Sequence, residues 1–144
     1  MEETMGEQEN IQVFRDIIDA LNAHDLDRFR TLIDDKHVME SDVLPESVHG
    51  LEASLETMQR YFNAFPDLHF DIEQVFASGD YVTLRWRASG THQGELSGIL
   101  ATNRSAEVHG CTVREFKDGK STREWTYWDT GRLMQQLGVL PTSQ

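Results

Sequence analysis

Within STREWTYWDTGRLMQQLG, residues 121–138, Glu124 and Asp129 stand five positions apart, among two tryptophans and the start of an apolar helical pattern. A carboxylate does acid–base chemistry near neutral pH when burial raises its pKa, and none when it only caps a helix. Asp129 directly precedes the pattern Leu133, Met134, Leu137, and Gly138 stands at the usual stopping place. Asp is among the best N-cap residues, so the local signals favour a cap. Glu124 lies on a strand-like alternation instead. Facing inward among Trp86, Phe116 and Trp128, it would be desolvated and available as a general acid or base. Paired with Arg114 on the same face, it would only neutralise a buried charge. Both readings of Glu124 stay open.

Other chemistries find less support. The six histidines (His24, His37, His49, His69, His92 and His109) lack paired ligand spacing, so no metal site is expected. There is no P-loop, Gly-rich phosphate cradle or nucleophile elbow. Cys111 is the only cysteine, which excludes an internal disulfide, and its flanks do not activate a thiolate. No cofactor is expected. Tyr61, Phe65, Trp86 and Trp128 could line an apolar pocket, since small-molecule sites are mostly apolar with few polar groups.

Helices come first and strands second. Ile11, Phe14, Ile17, Ile18 and Leu21 recur at helical spacing, and Asn22-Ala23-His24-Asp25 breaks the pattern. Leu26, Phe29, Leu32 and Ile33 predict a shorter helix. Residues 37–50 read as a short strand and a loop. Leu51, Leu55, Met58, Phe62 and Phe65 predict a third helix that Pro66 stops. Beyond it the period becomes two. Phe70, Ile72 and Phe76 share a face, as do Val82, Leu84 and Trp86. A three-residue turn Ala77-Ser78-Gly79 sets Asp71 opposite Arg85 and Phe70 beside Trp86. The same turn rule at Lys117-Asp118-Gly119 pairs Thr112 with Glu124. It gives an inner face of Val108, Gly110, Thr112, Arg114, Phe116, Thr122, Glu124, Thr126 and Trp128. A two-residue turn at Asp118-Gly119 would exchange these partners. Gly90 to Ser105 is loop-like.

The sum is an α+β arrangement in one domain, residues 1–144 with an ordered core of about 8–140. A net charge of −12 disfavours binding to phosphate backbones, anionic membranes and polyanionic substrates. With no apolar secretory segment and no run of membrane length, a cytoplasmic location is expected.

Phe65-Pro66-Asp67-Leu68, Gly90-Thr91-His92-Gln93-Gly94, the turn Asp118-Gly119-Lys120 and the ending Gln136-Leu137-Gly138 resemble the SnoaL-like polyketide cyclase family. That family belongs to the superfamily of nuclear transport factor two, scytalone dehydratase and ketosteroid isomerase. The resemblance spans roughly residues 8–140. It implies a cone-shaped, curved antiparallel sheet with three N-terminal helices enclosing a pocket, and a short C-terminal helix. It further implies cofactor-free aldol chemistry by an Asp on the last strand and a His on the strand before. Alignment without a gap from Gly119-Lys120 to Gln136-Leu137-Gly138 sets Thr126 at the Asp position and Thr112 at the His position. The cyclase outline is present without the cyclase pair.

The expected enzyme is a cyclase or isomerase acting on a small apolar polyketide- or isoprenoid-like carbonyl compound. Glu124 would be the proton shuttle, and Arg114 or His92 would stabilise an enolate. Tyr61, Phe65, Trp86, His92, Thr112, Thr126 and Trp128 are the expected ligand-binding residues, with His92 a partly exposed loop residue at the pocket rim. The alternative is a non-catalytic binding or accessory protein of the same fold; a weaker third is a hydroxylase-like relative served by a partner reductase. Val113, Trp125 and Tyr127 fall on the outer face, where an aromatic pair is expected to form a homodimer surface.

Overall fold

The computed structural model describes residues 2–140; Met1 and residues 141–144, the ends of the expected domain, lie outside the described residues. Helix α1 (Glu2–Asn22) is followed by α2 (Leu26–Leu32), strands β1 (Ile33–Ser41) and β2 (Val48–His49), and α3 (Leu51–Ala64). Strands β3 (His69–Ser78), β4 (Tyr81–Thr91), β5 (Ser105–Lys117) and β6 (Lys120–Trp128) come next, and α4 (Thr130–Leu137) ends the order. The six strands form one curved, unclosed sheet in the order β2-β1-β6-β5-β4-β3. The sheet is mixed rather than wholly antiparallel, because β1 runs parallel to β6.

The helices cover one face as the apolar spacing requires. Phe14, Ile17, Ile18 and Leu21 of α1 are buried, and α1 packs on β3 and β4. The break after α1 is held by side chains. Asn22 accepts from the Phe70 amide and donates to its carbonyl, and the His24 ring stacks on Phe62 with centroids 4.1 Å apart. Asp25 then caps α2 by accepting from the Arg28 amide at 3.0 Å. Among the described residues, no helix is long and apolar enough to cross a membrane.

Both hairpins turn on two residues rather than three. Ser78 pairs with Tyr81 around Gly79-Asp80, and Lys117 with Lys120 around Asp118-Gly119. Asp118 and Gly119 both take positive φ, 51° and 76°, the type I′ geometry that fits the twist of a hairpin. Each strand pair then carries a bulge, between Ile72 and Gln74 and between Glu115 and Phe116. Together, turn and bulge displace each predicted pairing by two residues, so Asp71 faces Arg87 and Thr112 faces Thr126.

An even displacement keeps the faces. Phe70, Ile72, Leu84 and Trp86 accordingly pack into the core as expected. Two residues beside the bulges change sides. Phe76 is exposed while Val75 and Ala77 pack inward, and Ser121 is buried where Thr122 was expected.

Candidate functional site

Between the helices and the sheet lies a cavity open to solvent. Its walls are apolar: Phe14, Ile18 and Leu21 from α1, Met58 from α3, Val108 from β5, and Leu133 from α4. Of the residues expected to bind ligand, Tyr61, Phe65, Trp86, Thr112, Thr126 and Trp128 line it, as do Arg114 and Glu124. Tyr61 meets Trp128 edge-on at 6.5 Å, and Phe70 meets Trp86 edge-on at 5.4 Å. Burial pushes the Tyr61 phenol above its ordinary pKa, so it stays a neutral hydroxyl.

His92 does not line the cavity. It is fully buried rather than partly exposed, and its ring lies tilted against Phe65 at 5.4 Å. The Thr102 amide donates to its Nδ1 at 3.2 Å, and the Thr102 hydroxyl lies 3.1 Å from the same nitrogen. Its amide donates to Arg104 and its carbonyl accepts from Asn103, so His92 pins both ends of the loop it begins. Its burial corrects the expectation of a partly exposed loop residue at the rim.

The polar end of the cavity is built on β5 and β6, where Arg114 pairs directly with Glu124 rather than diagonally. Glu124 is 4% exposed. Arg114 Nη2 stands 3.4 Å from Glu124 Oε1, and the Thr126 hydroxyl donates to Glu124 Oε2 at 2.9 Å. A third partner comes from β1: His37 Nε2 lies 3.3 Å from Glu124 Oε1. Burial alone would raise the Glu124 pKa, but Arg114, His37 and Thr126 together pull it down to about 2. The carboxyl is therefore charged at neutral pH. Of the two readings left open for Glu124, the geometry is that of the ion pair with Arg114, whose pull with that of His37 and Thr126 outweighs desolvation.

Arg114 is buried as deeply. Burial lowers its pKa against the opposing pull of Glu124. Nη1 donates to the Ser121 hydroxyl at 3.0 Å, the guanidinium carbon stands 5.1 Å over the Phe14 ring, and Nε has no hydrogen-bond partner.

His37 and Ser121 are the members that the sequence did not reveal. His37 Nδ1 donates to the Ser121 carbonyl at 2.9 Å, which orients the ring toward Glu124. His37 reaches the site only through the parallel pairing of β1 with β6, and Ser121 only through the bulge. Neither leaves a local pattern.

A chain of hydroxyls joins this cluster to the apolar wall. Trp86 Nε1 donates to Thr112 Oγ1 at 3.0 Å, and Thr112 Oγ1 lies 3.0 Å from Thr126 Oγ1. Thr112 and Thr126, which the resemblance sets at the His and Asp positions of the cyclases, are thus opposite one another, hydrogen-bonded, in the cavity wall.

Asp129 stands apart from this cluster. Its side chain accepts from the Arg132 amide at 2.9 Å and caps α4, whose far end is closed by Gly138 at φ 79°. The other family-like motifs are structural too. Asp67 accepts from both the amide and the hydroxyl of Thr91, and Gln136 exchanges two hydrogen bonds with the Glu107 backbone. Among the described residues, no three His, Cys, Asp or Glu side chains gather closely enough to hold a metal ion.

No curated protein matches this chain. Solved structures do. AclR from Streptomyces galilaeus, a proposed hydroxylase, is 27% identical with a TM-score of 0.85, over 96% of this chain and 86% of that one. IdmH from Streptomyces antibioticus, a proposed polyketide cyclase, is 27% identical with a TM-score of 0.79, over 90% and 99%. An LEH-like epoxide hydrolase of M. tuberculosis shares the fold at 18% identity, with a TM-score of 0.75 over 92% and 91%. The family model of the SnoaL-like polyketide cyclases matches residues 11–137. With the cavity, the sheet order and this match together, the chain belongs to the SnoaL-like polyketide cyclase family.

Proposed function

We propose that the protein carries out cofactor-free acid–base chemistry, an aldol cyclisation or an isomerisation, on a small and mostly apolar carbonyl compound of polyketide or isoprenoid type. The observation that carries this reading is a buried arginine–carboxylate pair at the end of an otherwise apolar cavity. Arg114 offers N–H donors to an oxygen that gains negative charge as a neighbouring carbon loses its proton. Glu124 receives that proton. It is a weak base while Arg114 neutralises it, and it becomes a stronger one as the guanidinium turns to the substrate oxygen. The enolate carbon then adds to a second carbonyl of the same molecule, whose C=O π bond opens to an oxygen that takes the proton from Glu124. In an isomerisation the enolate instead takes the proton back at another carbon. Either way Glu124 returns to its charged state. Tyr61, Trp86 and Trp128 supply the apolar seat.

A second reading, a binding protein without turnover, is favoured by one observation: Glu124 is drawn down to about 2 before any ligand arrives. Exchange of the α-protons of 2-tetralone in deuterated buffer, followed by NMR, separates the two. An enzyme accelerates the exchange, and Glu124→Gln lowers it by about a hundredfold or more. Binding of 2-tetralone with exchange no faster than in buffer, for both proteins, gives the cavity to the binding reading.

The outer sheet face supports a further part of this reading, a homodimer. Trp125 packs between Tyr81 and Arg123, with Val113 directly paired to it and Tyr127 51% exposed alongside.

A further inference from the structure

Resting on the reading that the cavity takes a small apolar molecule, we infer that its Thr112–Thr126 wall selects a ligand hydroxyl group and rejects a carbonyl or ether oxygen at the same point. The argument is one of counting protons. Trp86 Nε1 can only donate, and it donates to Thr112 Oγ1. The Glu124 carboxylate, facing Arg114 and His37, can only accept, and Thr126 donates to it. A hydroxyl carries one proton. Thr126 has spent its own on Glu124, so the bond between the two threonines runs from Thr112 to Thr126. Every hydroxyl proton in the chain is used, and all point toward Glu124.

Each threonine oxygen has two acceptor sites and fills one, Thr112 with Trp86 and Thr126 with Thr112. The wall therefore presents two free lone pairs and no free hydroxyl proton. A ligand O–H meets an acceptor there, whereas a carbonyl or ether oxygen meets like lone pairs and loses its water for nothing. Arg114, two positions along the same inner face, is the donor that suits a carbonyl. The ligand class is an apolar compound with a hydroxyl group near its carbonyl, such as a hydroxy ketone or its enol. The direction of the chain is set by its two ends. Glu124→Gln puts an amide that can donate beside Thr126, and Thr126→Val leaves the Thr112 proton without an acceptor. Both changes release a donor to the ligand.

The probes are 2-naphthol and 2-methoxynaphthalene, which differ in that one proton, titrated calorimetrically against the wild type and both variants. The wild type should bind 2-naphthol about tenfold tighter, and in each variant the preference should shrink to about threefold or less. A wild type that binds the two equally, prefers the ether or binds neither overturns the inference. So does a preference that survives in a folded variant. Should Glu124→Gln fail to fold by circular dichroism, Thr126→Val, which leaves the ion pair intact, carries the test. These titrations need no turnover. Failure of 2-tetralone exchange alone removes the chemistry and leaves the selection standing, and the reverse result removes only the selection.

Discussion

Glu124 is held charged by residues of three strands, with His37 from β1, Arg114 from β5 and Thr126 from its own β6. Its folded pKa of about 2 lies below the ordinary 4.5, so the folded protein binds fewer protons than the unfolded chain in between. The stabilisation is complete above pH about 4.5 and is lost as pH falls toward about 2. In urea titrations across this window, wild-type stability should drop by a few kcal/mol more than that of Glu124→Gln. Equal slopes for the two proteins would mean that the carboxylate is not so held. Glu124→Ala, which leaves Arg114 buried without its partner, should cost about 3–5 kcal/mol at neutral pH. Glu124 and Arg114 share a face under the three-residue turn read from the sequence, and under the actual two-residue turn only because the bulge adds one more residue of displacement. The outcome of their pairing was not readable, because the sequence pattern carried no sign of His37.

At the scale of elements, alternation located the strands and their faces, and two short turns with two bulges decided the partners. Phe76 was misplaced because a bulge at Glu73 reverses the parity of the turn side only, and apolar spacing does not record an extra residue. The glycine of β5 shows how tightly the elements meet. Gly110 pairs with Trp86 across the sheet, and a methyl group on it would come within 2.2 Å of Trp86 Cζ2. Gly110→Ala therefore has to push the indole off its place over β5 and away from Thr112. The expected result is a loss of about 1–3 kcal/mol in denaturant unfolding, with weaker 2-naphthol binding measured by calorimetry. An unchanged affinity would show that the indole donor is not needed where it stands.

For the whole molecule, the helices occupy one face of the sheet and leave the other with Tyr81, Val113, Trp125 and Tyr127. Alternation from Val113 to Tyr127 exposed this face in the sequence, because turn and bulge together displace the pairing by two and leave inside and outside unchanged. If two copies pair there, Trp125→Ala should cost about 2 kcal/mol or more of association energy. Sedimentation at low micromolar concentration would then show a shift toward monomer. An unchanged profile removes this face as the contact. The order of the helices and long strands was legible, and what escaped was the short β2, read as loop, and the parallel strand pair, whose members are far apart in the chain.

That pair bears on time as well as on shape. His37 and Ser121 are 84 positions apart, so joining β1 to β6 closes a long loop, an entropic cost that precedes any return in contacts. The hairpins β3–β4 and β5–β6 need only their two-residue turns and can serve as the early scaffold. In stopped-flow folding, His37→Ala should then speed unfolding and leave the refolding rate nearly unchanged. A slowed refolding limb would instead put the seam in the nucleus. With the seam late, the charged floor of the cavity closes last as the chain folds and opens first as it unravels.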